Sequence, residues 1–578
     1  MAQKQPLKKT QPVQKPIAKI KEADAKNSNS TKSIFDSLEE HFNAKRSFYL
    51  IFLVLLAGVF SFLCFDNKIS TANDDALYIE SGASYAKGFF SYFYLANAPL
   101  YPMVLGVLIK LIGVKLFLLK LFSVVCFCAA IFFVFKAFEK RIPYILLIPS
   151  LLLTVINFPY LMYASLTYTE TFSLMVFGIC FGMLFKIFDK LDAENYSFKD
   201  SILQFLLIGF LFFWMMITRN VALAAIGILA VFFIYRKKFL EAGASVVGFG
   251  VFYFLYKLAL KFIWKIDGSQ FASQSKLMFQ KDAYQPQLGN ENFTGFINRF
   301  LENCQIYISS RFYYVLGFRE EMSANNSILT LFSIGLLLWS LFLMHKKKQY
   351  VLIFTTLFFS GLLATTFISL HTSWGQTRLI MIFLPFILFN FFYLFYYYGK
   401  EFIFLQYAFP FVFLILFFTS ITATLKQASE RFPVFVENMT GDATYGYTPD
   451  WQNYIKMSKW CGVNLPNETK QIAVRKAPMS FIFSDGKEFY PVYNTPTDNP
   501  DSLLIPFRIS KVNYLMTCKL RLDPNRYLED QFIGTMHRYA YYIQTKYPNA
   551  FIPIHQEGDI EEAQLFKIDW NYIDSINK

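Results

Sequence analysis

The chain has 578 residues, of which 55% are hydrophobic, 20% aromatic and only 17% charged, with a formal net charge of +14. This composition excludes a disordered protein, and apolar runs of 15 to 24 residues recurring from 47 to 425 exclude an ordinary soluble globule. Nucleic acid is not the partner implied by the positive charge, because much of that charge lies in the N-terminal tail and in short gaps between apolar runs, where it orients a membrane protein.

Residues 1–46 hold ten Lys or Arg against five acids in a Gln, Pro, Lys and Ser-rich stretch that cannot build a core, which predicts a disordered basic cytoplasmic tail. The first apolar run, 47–65, follows Lys45 and Arg46 and has no small-residue cleavage site behind it, so it reads as a signal anchor. Further runs follow at 116–135, 143–158, 170–185, 201–217, 221–235, 240–262, 328–344, 350–369, 379–398 and 402–425, making eleven predicted spans. The segment PLYPMVLGVLIKLIG, 99–113, would reach only about 22 Å as helix and is interrupted by Lys110, so it is assigned to the interface. With that assignment the short cytoplasmic loops carry thirteen basic residues and the short outer loops only two, Arg219 and Arg378. The bias places the N-terminus inside and the C-terminal residues 426–578 outside, together with the external loops 66–115 and 263–327.

The C-terminal segment has the pattern of a mixed α/β domain. Residues 450–465 and 527–547 have helical spacing, whereas QIAVRK, SFIFSD, KVNYLMTCKL, FIPIHQ and AQLFKI read as strands. Cys461 and Cys518 fit either a single disulfide or two buried small hydrophobes, and the five histidines have no zinc-ligand spacing. The expected fold class is therefore mostly α: a polytopic helical membrane domain over 47–425, followed by an extracytoplasmic mixed α/β domain over 426–578.

Chemistry concentrates where the spans meet the outer surface. In TANDDALYIESGASYAKG, 71–88, Asp74 and Asp75 stand at the start of a helix. There they serve either as caps for its free N–H groups or as a general base whose basicity rises with desolvation. Glu170, in PYLMYASLTYTE, is likewise either a cap or a second acid that orients an acceptor or binds a divalent metal. Arg219 and Arg378 break the charge bias, and either snorkel to lipid phosphate or bind a substrate phosphate through the guanidinium fork. Lys120, Lys257 and Lys261 add positive charge at the same level. No D-x-D, no G-x-G-x-x-G and no P-loop occurs, so a nucleotide-sugar donor is unsupported.

In these features the sequence resembles the C-type integral-membrane glycosyltransferases, in particular the group of protein O-mannosyltransferases and lipid A aminoarabinose transferases. The matching residues are the acidic pair Asp74 and Asp75, Gly88, NAPLYP at 97–102, Lys120 in LLKLFSVV, Glu170 in TYTETFSL, Arg219 in ITRNVAL and Arg378 in GQTRLIMIFLP. The resemblance covers residues 47 to about 400. The sequence departs from it at Asp75, where Glu is common, at Leu379, where Tyr is usual, and at Lys120, where Arg is frequent.

The resemblance implies transfer of one sugar from a polyprenyl-phosphate carrier to an acceptor hydroxyl of a lipid, glycan or protein on the extracytoplasmic face, with inversion. In that scheme Asp74 and Asp75 are catalytic, Glu170 orients the acceptor or holds a metal, and Arg378, Arg219, Lys120, Lys257 and Lys261 bind the lipid phosphate. No cofactor other than a divalent metal is implied. The alternative class is a transporter or flippase of a lipid-linked sugar, for which midplane charges and an inverted repeat are the usual signs, and the sequence has neither.

Overall fold

The computed structural model describes residues 33–193, 196–266, 278–282, 288–466, 471–523 and 526–576; most of the predicted basic tail, residues 1–32, lies outside them. The end of that tail is not disordered. Residues Ile34–Ala44 form an α-helix that opens on Ser33, whose hydroxyl accepts from the Phe35 N–H. The Phe35 ring is buried against Tyr396 and Phe409, and the Glu39 carboxylate accepts from the N–H groups of Tyr144 and Ile145 at 2.9 and 3.0 Å. One apolar anchor and one acid placed on a foreign helix N-terminus thus hold this segment in the fold.

Among the described residues, eight helices are long and apolar enough to cross a membrane, and the bent pair Tyr144–Val155 and Phe158–Ala164, kinked by 63°, makes a ninth when taken together. The bend falls at Asn157, whose side chain caps the second helix just before Pro159. Two shorter apolar helices correspond to the remaining predicted spans, Asn220–Tyr235 and Leu384–Gly399. Both run between the same two ends of the bundle as the long helices. Arg219 at one end meets Glu170, and Arg236 at the other pairs with Asp192; Arg378 meets Asp74, while Gly399 abuts the Phe35 ring.

Segment 99–113 forms the helix Leu100–Ile112, short of a span, and packs along the helix Asp74–Lys87. Two glycines permit the approach. A Cβ on Gly82 would lie 2.9 Å from Leu105 Cβ, and one on Gly106 would lie 2.6 Å from Tyr85 Cβ.

The predicted boundary at 425 moves. The last apolar helix continues without a break from Ile403 to Thr440, carrying 15 residues beyond the apolar run toward the C-terminal domain. That domain holds a five-stranded sheet of β1 (Ile472–Val474), β2 (Tyr490–Pro491), β3 (Tyr514–Cys518), β4 (Phe551–Glu557) and β5 (Ala563–Ile568), in the order β2-β1-β3-β5-β4. β1 is parallel to β2 and β3, whereas β5 is antiparallel to both β3 and β4. A core of Leu503, Phe507, Leu515, Ile543, Tyr547 and Ile568 packs against it.

Most of the expected elements are present, with two differences. SFIFSD contributes to a helix, Ala477–Phe483, not a strand: Pro478 occupies its first turn, and a short apolar run carries no periodicity that separates the two states. The helix expected over 527–547 begins only at Thr535. Cys461 and Cys518 are free and buried, so they are the small hydrophobes of the two readings, not a disulfide.

Candidate functional site

Where the bundle meets the C-terminal domain, a left-handed turn at Asn73 (φ 74°) precedes the helix Asp74–Lys87, and asparagine is among the few non-glycine residues that take this conformation readily. The two adjacent acids that follow are separated by it into different environments.

Asp74 turns outward, its side chain 43% exposed, and its Oδ2 accepts from Arg378 Nη2 at 2.8 Å. Asp75 turns inward and is fully buried. Its carboxylate accepts from the Ser70 N–H, the Ser70 hydroxyl and the Ala76 N–H, each at 2.9 Å, and lies 4.0 Å from Lys120 Nζ. Burial pushes the Asp75 carboxyl above its ordinary range, against the opposing pull of Lys120 and of the Ser70 and Ala76 donors. Of the two readings for the acidic pair, Asp75 thus takes the structural one, stapling the loop to its helix.

Lys120, expected to meet lipid phosphate, is not presented to a ligand. It is fully buried, and its ammonium donates to the carbonyls of Lys68 at 2.5 Å and Ser165 at 3.2 Å. A buried ammonium needs such partners, and Asp75 and these carbonyls supply them. Lys257 and Lys261 also stand apart from this pair, exposed on the helix Phe239–Phe262 with their ammonium groups over the rings of Tyr253 and Phe262.

The remaining predicted residues come together. Glu170 Oε1 lies 3.5 Å from Arg219 Nη1 and 3.9 Å from Arg378 Nε, so Arg378 links both acids and Glu170 links both arginines. Glu170 is 1% exposed, and its Oε2 has no hydrogen-bond partner among the described residues. Burial works against the Arg378 charge, but Glu170 and Asp74 outweigh it and hold the guanidinium firmly protonated, above its ordinary range.

Residues that sequence reasoning did not single out orient this cluster. Gln376 Oε1 accepts from Arg378 Nε at 2.6 Å, and the guanidinium lies over the Tyr168 ring, 5.0 Å from its centroid. Tyr168 OH in turn hydrogen-bonds Ser70 Oγ at 2.9 Å. The segment before the helix Ser327–Lys346 holds the Arg378 turn from the far side, where Thr377 Oγ1 donates to Glu321 Oε1 at 2.5 Å and the Gln376 N–H donates to Tyr307 OH at 3.2 Å. Tyr168 lies two residues before Glu170 in TYTE and Gln376 two residues before Arg378 in GQTR, a proximity that could have marked both; Glu321 carried no comparable signal.

From the C-terminal domain, Lys476 Nζ donates to Thr71 O at 2.9 Å and the Met479 N–H donates to Asn73 Oδ1 at 3.1 Å. Lys87 at the other end of the helix pairs with Glu488 at 3.0 Å. Both ends of the Asp74 helix are thereby tied to the C-terminal domain.

A divalent metal does not fit the cluster as it stands. Among the described residues no three His, Cys, Asp or Glu side chains gather as ligands, and the Arg378 and Arg219 guanidinium groups already balance the charges of Asp74 and Glu170. No step is therefore assigned to a metal.

No family model matches the chain, and no curated protein matches it in sequence. Solved structures do match it in fold. The oligosaccharyltransferase of Archaeoglobus fulgidus, in complex with Zn and sulfate, aligns with a TM-score of 0.51 at 11% identity over 81% of this chain and 68% of that one. The same enzyme tethered to an acceptor peptide aligns at 0.53 and 10% identity, covering 90% and 74%. ArnT from Cupriavidus metallidurans bound to undecaprenyl phosphate aligns at 0.50 and 10% identity, covering 91% and 98%. The chain, a helical membrane domain followed by a small domain with a sheet, shares its fold with these structures.

Proposed function

We propose that the protein is a membrane glycosyltransferase that moves a single hexosyl or pentosyl unit from a polyprenyl-phosphate carrier to an acceptor hydroxyl on a lipid, glycan or protein, at the extracytoplasmic face. The observation that carries this reading is the accessible Asp74 carboxylate set against Arg378, Glu170 and Arg219. It supplies one acid open to an incoming hydroxyl, and two guanidinium groups for a phosphate, one bonded to that acid and one on the other side of Glu170. The shared fold supports the reaction class, and the thirteen-to-two charge bias of the short loops supports the face.

In the proposed step the acceptor oxygen forms a bond to the anomeric carbon as the bond from that carbon to the carrier phosphate breaks. Asp74 takes the hydroxyl proton during the attack. The electron pair of the broken bond stays on the departing polyprenyl phosphate, whose growing charge Arg378 and Arg219 stabilise. A single displacement with an external nucleophile inverts the anomeric centre. Glu170 Oε2, buried and without a partner among the described residues, is the acceptor atom for a ligand hydroxyl at the base of the cluster. The lipid phosphate is a leaving group already attached to the sugar, so the chemistry calls for no nucleotide-binding fold.

The test is transfer of label from radiolabelled polyprenyl-phosphate sugars in membranes carrying the wild type or Asp74→Asn. Label should reach an acceptor fraction with the wild type and be lost with Asp74→Asn while membrane insertion is unchanged. Wild-type turnover by Asp74→Asn overturns the assignment of the base, and absence of transfer from every carrier sugar overturns the reaction.

A further inference from the structure

The domain boundary brings a cation to Asp74 that neither the charge bias nor the family motifs single out. Lys476 follows β1 and precedes the helix Ala477–Phe483, and this junction lies against the turn that presents Asp74. Its ammonium donates to Thr71 O at 2.9 Å, three residues before Asp74, and lies over the Trp451 ring, 5.8 Å from its centroid. Three residues on, the Met479 N–H holds Asn73 Oδ1. Asp74 therefore has two cations acting on it, Arg378 from the membrane domain and Lys476 from the C-terminal domain.

This arrangement bears on phosphate binding. Arg378 commits Nη2 to Asp74 and Nε to Gln376, so the guanidinium is largely spent within the protein. A phosphate oxygen that approaches it competes with Asp74 for the fork, and a carboxylate deprived of its partner is costly at a half-enclosed site. A second cation on Asp74 lowers that cost.

We propose that Lys476, delivered by the C-terminal domain, is a positioning residue that shares the charge of Asp74 and thereby frees Arg378 for the phosphate of the donor. The proposal rests on the donor reading given under Proposed function. It makes the C-terminal domain a contributor to the site and not only its cover.

Lys476 is also placed to lose its charge in an accessible range. Burial, and next the neighbouring Arg475, lower its pKa to about 8, while Asp74 opposes them. Arg475 on its own segment and Asp74 on the facing helix are the charged groups acting on it, and the face from the helix Pro449–Asn464 is the neutral Trp451 ring. As pH rises through about 8 the ammonium becomes an amine. An amine can still donate to Thr71 O, so the turn keeps its hydrogen bond while the charge disappears.

The experiment is binding of undecaprenyl phosphate to the purified full chain in detergent, followed from pH 6.5 to 9.5 for the wild type, Lys476→Arg and Lys476→Met. Lys476→Arg stays charged throughout and serves as the reference for titration of the phosphate itself. Relative to it, wild-type affinity should weaken by about fivefold through pH 8, the size expected of a partly exposed ion pair. Lys476→Met should show the weakened value at every pH. Two outcomes overturn the proposal: Lys476→Met binding like Lys476→Arg across the range, or the wild-type pH response persisting in Lys476→Arg. A purely structural lysine would lower thermal stability in Lys476→Met without a pH-dependent difference in affinity, which also overturns it. A wild-type chain that binds no undecaprenyl phosphate at any pH overturns the donor reading itself, so the two failures are distinguishable.

Discussion

Arg378 and Asp74 are 304 residues apart in the chain and 2.8 Å apart in space. The pair joins the start of one surface helix to the entry of a late apolar helix, and through Glu170 and Arg219 it extends to two more elements of the bundle. The candidate base and the candidate phosphate-binding group therefore hold each other.

Arg378 is expected to be irreplaceable by a point charge. Lysine at this position keeps the charge but cannot address Asp74, Gln376 and a phosphate oxygen from one planar fork. Transfer should fall by about 10- to 100-fold in Arg378→Lys and by about 10²- to 10³-fold in Arg378→Ala, the range for loss of a charge-stabilising donor. Initial rates of label transfer provide the check, and near wild-type rates in Arg378→Lys would show that the fork is not used.

The buried pair Asp75 and Lys120 should behave as a structural unit. Lys120→Met leaves a buried carboxylate without its cation and should cost about 3–5 kcal/mol, whereas Lys120→Met combined with Asp75→Asn removes both charges and should recover most of that loss. Thermal melts of the detergent-solubilised protein distinguish the cases. Equal melting of Lys120→Met and the wild type would argue against the pairing.

Gly82→Val should displace the Asp74 helix from its neighbour, because the new Cβ would meet Leu105 Cβ at 2.9 Å and the Gly106 N–H nitrogen at 3.2 Å, and the latter is backbone that cannot rotate aside. Overpacking of this kind costs about 1–3 kcal/mol. Since the same helix carries Asp74, the transfer rate should fall along with stability. An unchanged rate would show that the Asp74 end is held by the C-terminal domain alone.

The C-terminal domain should lose stability in mild acid through His537. Burial first, and then Lys519, lower its pKa to about 4, with Glu562 opposing. The unfolded chain binds the proton near pH 6.5 and the folded chain only near 4, so stability is fully present above about 6.5 and is lost as pH falls through that window. His537→Phe should flatten this part of the melting-temperature profile between pH 7 and 4.5. An unaltered profile would assign the acid sensitivity to other groups.

The sequence by itself determined which stretches are apolar helices, where the short basic loops lie, and that Asp74, Glu170, Arg219 and Arg378 stand at helix ends near one surface. These are one-dimensional properties: a run long enough for hydrocarbon, a count of lysines and arginines, the residue at a helix start. It also placed the C-terminal strands Tyr514–Cys518, Phe551–Glu557 and Ala563–Ile568, whose apolar runs are bounded by polar turns, but not the helix Ala477–Phe483, where a run of seven residues has no decisive period. Only the tertiary structure decided that Asp75 and Lys120 are spent on each other while Asp74 faces outward. One residue of advance along the Asp74 helix turns a side chain by about 100°, and which direction is interior depends on elements distant in the chain. For the same reason Lys476 was invisible: nothing near it in the sequence marks a site, and it reaches the turn before Asp74 only because the C-terminal domain folds back over the loop that follows the first apolar helix.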